Sequence, residues 1–386
     1  MKIEYPVEPS ENNVPEERIE VTETDNSYLI DTGAMRVAFR HSFKAWQQPH
    51  DSAVMTECSL KTDAGWQNIL RGDGPLLYMT DQHGNYYDSL FCRTAPRVFI
   101  EEQGALRTCV LIKGFLASMQ GVRFCPYQLR IHLYAGKTDL RVFHTFVFDQ
   151  EPHSIELDSI GMSLPLDLGE NLRAAIGDDA EAAHWCTNWD ELTMLQLDDR
   201  NYEVRRNGEL FGSGGRAQGW ATLCGSSASA AAVIRDCWQE YPKGFALDKN
   251  GIDIQIWPAS CGRTLAFTTP FEEPAVRFDG TRDEQEVVRI LQEYPTAPLN
   301  LKSFNVRSIE DARWVEEMIE KHASDRTMSY NDTGINTGVG AAKTTEIVIR
   351  LSQEPFADRE ACTFAQTVQS PLRAIIDPEY VCKTGA

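Results

Sequence analysis

The sequence predicts an all-β fold, a barrel or a sandwich of antiparallel strands with a few inserted helices. Three observations lead to this prediction. Apolar and polar residues alternate with a period of two in several segments, turn signals separate these segments, and strand and helix patterns do not alternate along the chain. A regular alternation of strands and helices would have predicted a parallel sheet instead. No repeat with the period of a solenoid is present in the sequence.

The first predicted hairpin follows a polar N-terminal segment. Residues 1–25 are rich in Glu, Pro and Asn, which predicts a tail or an arm at a sheet edge. The fold begins near residue 28. From there a short apolar run leads through a turn into a strand in which Met35, Val37 and Phe39 alternate with arginines.

Two later hairpins have clearer signals. Residues 127–149 contain two alternating strands joined by a polar turn. Residues 244–256 contain two short strands around the Asn250-Gly251 dipeptide, which is a strong signal for a tight turn. A last strand is predicted at 345–351. Together these segments define the all-β part of the chain.

Two helices are predicted within an insertion between strands. Thr281 with Glu284, and Ser308 with Asp311, have the spacing of a capping box ahead of helical apolar patterns. In the second helix, four apolar residues share one face: Ile309, Ala312, Val315 and Ile319. We expect the helical insertion near residues 281–324.

Charge and hydropathy exclude several classes of protein. Asp and Glu outnumber Lys and Arg by 57 to 37, so the formal net charge is −20 and the protein repels nucleic acid and anionic lipid. No apolar run approaches the ~18 residues of a membrane-spanning helix, and the N-terminus lacks the apolar region of a signal peptide. We therefore expect a cytoplasmic protein, unless a leader has been removed.

Common motifs of cofactor and metal sites are missing from the sequence. The ten cysteines have no CxxC or CxH spacing, which predicts reduced, buried thiols. The run Gly212–Gly215 is not followed by the lysine and helix of a phosphate-binding loop, so it predicts a surface loop. We expect neither a metal nor another cofactor.

The most distinctive cluster lies between residues 215 and 258. Aromatic, cationic and amide side chains recur there within a β-rich span, as they do where proteins bind sugars. Aromatic rings stack on the C–H faces of sugars, and Arg or Lys pairs with uronate carboxylates. The candidate binding residues are Arg216, Trp220, Arg235, Trp238 and Trp257. The alternative is that the three tryptophans pack in the core, and the residues alone favour it.

Three further residues have contexts that bear on function: His144, His83 and Lys343. His144 lies on an otherwise apolar strand face, which predicts a core histidine rather than a base. His83 lies in a polar turn at 81–87, where its ring is displayed to solvent and suits a binding role. Lys343 ends a glycine-spaced loop at 332–344 and either points into a cleft or belongs to an ordinary connection.

Five runs of the sequence resemble the YetA-like family, which contains exo-acting rhamnogalacturonan lyase. They are RVFHTFVFD (141–149), GGRAQGWATL (214–223), VIRDCWQEYPKGF (233–245), IQIWP (254–258) and GVGAAKTTE (338–346). The resemblance implies an N-terminal barrel-like β domain, a central β-sandwich and a helical α/α toroid. We accordingly expect a barrel-like domain at 26–160, a sandwich at 161–355 and a C-terminal extension at 356–386. The extension looks like the junction with the toroid, which we expect to be missing.

The chemistry that the resemblance implies is β-elimination at a uronic acid of a rhamnose-uronate glycan. A cation neutralises the carboxylate, a base removes the proton on C5 and an acid protonates the leaving oxygen at C4. Candidates for the cation are Arg216, Arg235 and Lys243. Candidates for the acid and the base are Tyr241 and His83. The expected partner is a uronic-acid oligosaccharide or polysaccharide.

Two other functions stay open at this point. A non-catalytic carbohydrate-binding or scaffold protein is consistent with a missing toroid. A glycoside hydrolase using Asp236 and Glu240 as paired carboxylates would release a saturated sugar. A lyase differs from both because its product carries a new double bond that absorbs ultraviolet light.

Overall fold

The computed structural model describes residues 17–42, 53–72, 74–152, 154–177, 185–267, 282–293, 309–322, 338–372 and 382. Within these residues it contains twenty-one β-strands and three α-helices, so the all-β prediction is confirmed. The helices are α1 (Glu284–Glu293), α2 (Ile309–His322) and α3 (Asp358–Gln369).

A small antiparallel sheet contains the first five strands in chain order. They are β1 (Glu20–Glu23), β2 (Ser27–Asp31), β3 (Met35–Arg40), β4 (Met55–Thr62) and β5 (Gly65–Asn68). The hairpin predicted near residue 28 is β2–β3, in which Ile30 lies opposite Val37. Strand β1 pairs with β2 at the sheet edge, so the described part of the N-terminal segment is the predicted arm.

The large sheet has sixteen antiparallel strands. In spatial order its first part contains β13 (Arg173–Ile176), β17 (Trp220–Cys224), β18 (Ser229–Ile234), β21 (Ala342–Ser352), β11 (Asp139–Val147), β10 (Arg123–Tyr134) and β9 (Arg107–Ser118), with β8 (Arg97–Gln103) also on β9. The order continues through β7 (Tyr86–Asp88), β6 (Leu76–Asp81), β12 (Leu157–Pro165), β20 (Gly251–Trp257), β19 (Lys243–Asp248), β14 (Leu192–Gln196), β15 (Tyr202–Arg206) and β16 (Glu209–Gly214).

This sheet folds back on itself. Strand β17 contacts β19 and β20, and β18 contacts β20, although in the described part of the chain no backbone hydrogen bonds join these strands across the fold. Inward-facing residues are apolar: Ile252, Ile254 and Ile256 of β20 are buried, whereas the residues between them are half-buried. The two parts of the sheet therefore pack face to face as a sandwich, with the core between them.

Both of the clearer hairpins are confirmed. In β10–β11, Ile131 lies opposite Val142, and His144 on the same strand is buried as predicted. In β19–β20, Lys249 and Asn250 form the turn, and Gly251 begins β20 opposite Asp248. The prediction of a surface loop at Gly212–Gly215 is wrong for its first three residues, which belong to β16, because their backbone pairs with β15 despite the weak strand propensity of glycine.

Helix α3 covers strands β17 and β18 of the sandwich. It lies within the segment predicted as a C-terminal extension, where no helix was predicted. Its buried side chains pack against Trp220 and Val233: they are Ala361, Cys362, Phe364 and Ala365. The spacing of these residues was the available signal for an amphipathic helix.

The predicted helical insertion contains α1 and α2, as expected. Val315 and Ile319 of α2 are buried. The proposed caps Thr281 and Ser308 lie outside the described residues. Contacts divide the chain into a large unit (1–150, 156–265 and 340–386) and a small one (151–155 and 266–339) that holds both helices. The boundary predicted at residue 160 lies within β12.

The cysteines, the possible metal ligands and the helices of the described residues bear on the expectations from composition. None of the ten cysteines forms a disulfide bond, and all but Cys382 are buried. No group of three or more Cys, His, Asp or Glu side chains is placed to hold a metal ion in the described part of the chain. None of the described helices is both long enough and apolar enough to span a membrane.

Candidate functional site

Most of the predicted site residues gather at one end of the large sheet. The residues between β18 and β19 form the 235–242 loop. Beyond the end of β18, the amide of Arg235 still donates to the carbonyl of Glu346 in β21 at 3.0 Å. The loop therefore runs beside the start of β21, where Lys343 lies. Strand pairing brings together residues that are about a hundred positions apart in the sequence.

Trp257 and His83 lie at the same end of the sheet. Three register pairs establish this: Gly244 with Gln255, Trp257 with Ile160, and Asp81 with Leu157. The turn that carries His83 follows β6, which is three strand spacings from β19, or roughly 14 Å. His83 is exposed as predicted, and the turn is held by its amide, which donates to Asp81 at 2.9 Å. His83 therefore lies at the same end of the sheet as the 235–242 loop, but it is not part of that loop.

Lys243 supports the loop from inside the fold. Its residue is only 3% exposed, and its Nζ donates to the carbonyl oxygens of Glu240 at 2.6 Å and Pro242 at 3.4 Å. Burial lowers the pKa of Lys243 to about 8, although the nearby Glu240 opposes the shift. The ammonium group of Lys243 faces backbone carbonyls of the 235–242 loop. The structure therefore does not support the sequence-based role of Lys243 as a cation that meets the substrate.

The other two cations near the loop are engaged by carboxylates. Arg235 Nη1 lies 3.0 Å from Glu346 Oε2, and the second oxygen of Glu346 accepts from Arg141 at 2.8 Å. Lys343 Nζ lies 2.7 Å from Glu240 Oε1. These ion pairs join the loop to β11 and β21. They give both residues a structural role in this conformation.

The three tryptophans differ in their surroundings. Trp220 is 2% exposed and packs in the core cluster beneath α3. Trp257 is half-buried, and its Nε1 donates to the carbonyl of Arg263 at 2.9 Å. Trp238, on the loop, is also half-buried. The core alternative therefore holds for Trp220, whereas Trp238 and Trp257 keep partly accessible rings.

Arg216 and Trp238 come together at a small pocket. The guanidinium carbon of Arg216 lies 3.9 Å from the centre of the Trp238 ring, and Nε donates to the carbonyl of Asp199 at 3.2 Å. The pocket has a volume of about 330 Å³. Besides these two side chains, its lining is rich in amides: Gln218, Gln239, Gln366 and Gln369. We call this the Arg216 pocket.

Helix α3 supplies the part of the Arg216 pocket that sequence analysis missed. Gln369, at its end, donates through Nε2 to the carbonyls of Gln218 at 3.1 Å and Ile234 at 2.8 Å. Its Oε1 accepts from the amide of Asp236 at 2.9 Å. One side chain thus joins the end of α3 to the segment before β17 and to the end of β18 with the loop that follows it. The amide-rich end of α3 was the only sequence signal for this role.

The Arg216 pocket has the chemistry expected for an acidic sugar. A guanidinium binds a carboxylate through two parallel N–H groups, and amides donate to and accept from hydroxyl groups. Tyr241, which is 41% exposed, lies on the same loop as Trp238 and Gln239. A phenol in this position is accessible to a ligand held at the loop.

The fold has low similarity to several solved protein structures. It matches a TPR-domain containing protein from Parabacteroides distasonis with 7% identity and a TM-score of 0.39, covering 92% of this chain and 50% of that one. It matches an α-N-acetylgalactosaminidase from Bifidobacterium bifidum with 13% identity and a TM-score of 0.31, covering 59% and 33%. A galactose mutarotase related enzyme from Lactobacillus acidophilus has 12% identity and a TM-score of 0.33, with 86% and 99% covered.

These likenesses carry no conclusion about function, and the chain spans only half the length of the first protein. No curated protein matches the sequence. A family comparison is more specific, because it matches residues 19–174 to the PcRGLX-like protein central beta sandwich domain. This match begins well before residue 161, where we expected the sandwich. Over residues 19–174 the chain is thus similar to the central β-sandwich domain of the PcRGLX-like proteins, which confirms the resemblance to the exo-rhamnogalacturonan lyase-like family.

Proposed function

We propose that this protein acts on glycans that contain uronic acid, and that its reaction is β-elimination of the lyase type. The family match supports the carbohydrate class, because the PcRGLX-like domain occurs in proteins of the rhamnogalacturonan lyase type. The single observation that carries the uronate assignment is the Arg216 guanidinium, held over Trp238 in an amide-lined pocket.

Arg216 is the cation best placed to meet a uronate. Arg235 and Lys343 are paired with carboxylates, and Lys243 is buried under its own loop. Among the described residues Arg216 stacks on a ring and donates through Nε to a backbone carbonyl, and in this proposal the two outer nitrogens of its guanidinium bind the carboxylate in bidentate fashion. We therefore assign Arg216 as the neutralising group and Trp238 as its support.

In this proposal the reaction removes the proton on C5 and breaks the bond between C4 and its oxygen. The electron pair of the C5–H bond forms the double bond between C4 and C5, and the leaving oxygen takes up a proton. Tyr241 is the proposed proton carrier, because it is exposed on the loop that carries Trp238. His83 lies at the same sheet end and is the second candidate.

A non-catalytic carbohydrate-binding protein is the second candidate function. The observation that favours it is the engagement of Lys243, Arg235 and Lys343 within the described structure, which leaves Arg216 as the principal cation for a ligand. The hydrolase alternative is weaker, because Glu240 is already paired with Lys343 at 2.7 Å.

The experiment incubates the full chain with rhamnogalacturonan oligosaccharides and follows ultraviolet absorbance and product mass. The lyase proposal expects an unsaturated product that appears with time and is reduced at least tenfold in the Tyr241→Phe variant. A matched control is Tyr134→Phe, on β10 away from the loop. Binding without any product would favour the non-catalytic function. A saturated product larger by one water would contradict the lyase proposal.

A further inference from the structure

A second cavity lies on the outer face of the large sheet, opposite to the core. Strand pairing sets one row of residues across six strands, β6 to β15: Tyr78, Gly161, Gln255, Gly244, Leu195 and Glu203. The two glycines leave room for the side chains beside them: an added Cβ at Gly244 would lie 2.7 Å from Gln255 Oε1. The Tyr78 ring lies over Gly161, where an added Cβ would approach its hydroxyl to 2.3 Å. We call the cavity along this row the face groove; four residues of the row line it, namely Tyr78, Gln255, Leu195 and Glu203.

The face groove has the size of a ligand site. Its volume is about 590 Å³, within the range of roughly 300–1,000 Å³ that is usual for small-molecule pockets. The small side chain of Ala246 lies on the floor of the groove, and Thr193 and Leu195 form one side. Exposed residues such as Arg205 and Ser260 lie at its rim, so the groove opens to solvent.

The polar groups of the face groove are organised around Asp253. Tyr78 donates from its hydroxyl to Asp253 Oδ2 at 2.7 Å, and Gln255 Nε2 donates to the same oxygen at 3.1 Å. The other oxygen, Oδ1, is buried and makes no hydrogen bond within the described residues. Burial raises the pKa of Asp253. This network fixes the Tyr78 ring and the Gln255 amide beside the floor of the groove.

The charge of the face groove disfavours an anion. Glu191 and Glu203 line it, and Asp253 lies beside it. Its cation, Arg205, already donates to Glu203 Oε2 at 2.7 Å and 3.0 Å and to the carbonyl of Gly208 at 3.2 Å. A carboxylate in this groove would meet uncompensated negative charge. An aromatic ring, an amide and hydroxyl groups suit a neutral ligand with both C–H faces and hydroxyls.

We propose that the face groove is a binding site for a neutral sugar residue, separate from the Arg216 pocket. The Tyr78 ring contacts the C–H face of the sugar, and Gln255, Thr193 and Glu203 bind its hydroxyls. The chain then carries two sites of opposite preference, one for a neutral and one for an acidic sugar. The proposal goes beyond the lyase function and does not depend on it.

The test measures affinities of the full chain for methyl galactoside and methyl galacturonoside, which differ only at C6, with methyl rhamnoside as a second neutral probe. Ala246→Phe fills the floor of the groove, so we expect the affinity for both neutral glycosides to fall at least tenfold. Tyr78→Phe keeps the ring but removes its hydrogen bond to Asp253, and the expected loss is about threefold. Ala105→Phe, in an exposed turn between β8 and β9, is the matched control and leaves every affinity unchanged.

Arg216→Ala separates this proposal from the lyase function. Galacturonoside binding falls in that variant, whereas neutral glycoside binding stays at the wild-type value. Three results would overturn the face groove site: no neutral glycoside binding at millimolar concentration, unchanged neutral binding in folded Ala246→Phe protein, or loss of neutral binding in Arg216→Ala. If Ala246→Phe does not fold, unchanged neutral affinity in Tyr78→Phe overturns it instead.

Discussion

The guanidinium carbon of Arg216 lies 3.9 Å from the centre of the Trp238 ring, so the aromatic face orients the cation at the mouth of its pocket. Replacing Trp238 with Ala removes this support and allows the guanidinium to rotate. We expect galacturonoside affinity to fall about fivefold, which corresponds to a cation–π contact of roughly 1 kcal/mol. Trp238→Phe retains most of the affinity. Titration calorimetry measures both variants.

A matched control for this prediction exists in the same chain. Arg173 lies over Trp185 at 4.0 Å in a similar stack that does not line the pocket. Trp185→Ala should leave galacturonoside affinity unchanged. An equal loss in Trp185→Ala and Trp238→Ala would mean that both act through stability alone.

The lowered pKa of Lys243 predicts that the free energy of unfolding rises with pH in the alkaline range. Burial lowers its pKa to about 8 in the folded protein, below the ordinary lysine value of 10.5. Between these values the unfolded chain binds the proton more strongly, so the free energy of unfolding rises as the pH rises from about 8 to about 10.5. The total rise is about 3 kcal/mol. In Lys243→Met this contribution is absent.

Urea unfolding of both proteins at several pH values measures the effect. Lys249→Met is the control, because Lys249 is exposed and paired with Asp190 at the surface. Identical pH profiles for Lys243→Met and the wild type would show that the ammonium of Lys243 is not buried in solution.

The lowered pKa of the buried His144 predicts that the protein loses stability in acid. It is buried on β11, burial lowers its pKa to about 4, and its Nδ1 has no partner among the described residues. The unfolded chain binds a proton at pH values where the folded protein does not, so stability falls as the pH decreases from about 6.5 to 4. The expected loss from this residue is about 3 kcal/mol.

A His144→Leu variant should lack this acid-sensitive contribution, as measured by thermal unfolding across the same pH range. His83→Ala, at an exposed turn, should keep it. If His144→Leu and the wild type lose stability in parallel between these pH values, His144 is not the group responsible.

We expect substitution of Trp220 to lower the stability of the protein and not to act on ligand binding directly. It is 2% exposed and packs beneath α3, so Trp220→Ala should lower the free energy of unfolding by about 3–5 kcal/mol. Trp257→Ala should cost clearly less, because that ring is half-buried. Denaturant unfolding measures both. Unchanged stability of Trp220→Ala together with lost glycan binding would restore the original assignment of Trp220 to a sugar site.

The sequence predicted the hairpins well because their signals are local. In β19–β20 the signals are the Asn250-Gly251 dipeptide at the turn between Asp248 and Gly251 and the alternation of isoleucines, and both lie within a few residues of the chain. The same locality explains why α1 and α2 were found. Helix α3 was missed although Ala361, Phe364 and Ala365 have helical spacing, because an expected domain junction was assigned to that segment.

The site was harder to predict because it depends on distant pairings. Gln369 reaches the amide of Asp236 across 133 positions of the chain, and no local pattern indicates that contact. Trp220 and Trp238 looked equivalent in the sequence, and only the covering helix separates them. The face groove likewise combines residues of separate strands, because pairing through Gly161 and Gly244 sets Tyr78, Gln255 and Leu195 in one row.

The affinity of the full chain for methyl galacturonoside, measured with and without the Arg216→Ala substitution, tests the central claim most directly. The Arg216 pocket predicts millimolar or tighter binding by the wild type, a loss of at least tenfold in Arg216→Ala, and no loss in Arg97→Ala, an exposed arginine on β8. Equal affinities for the wild type and a folded Arg216→Ala variant would contradict the assignment of the uronate to this pocket.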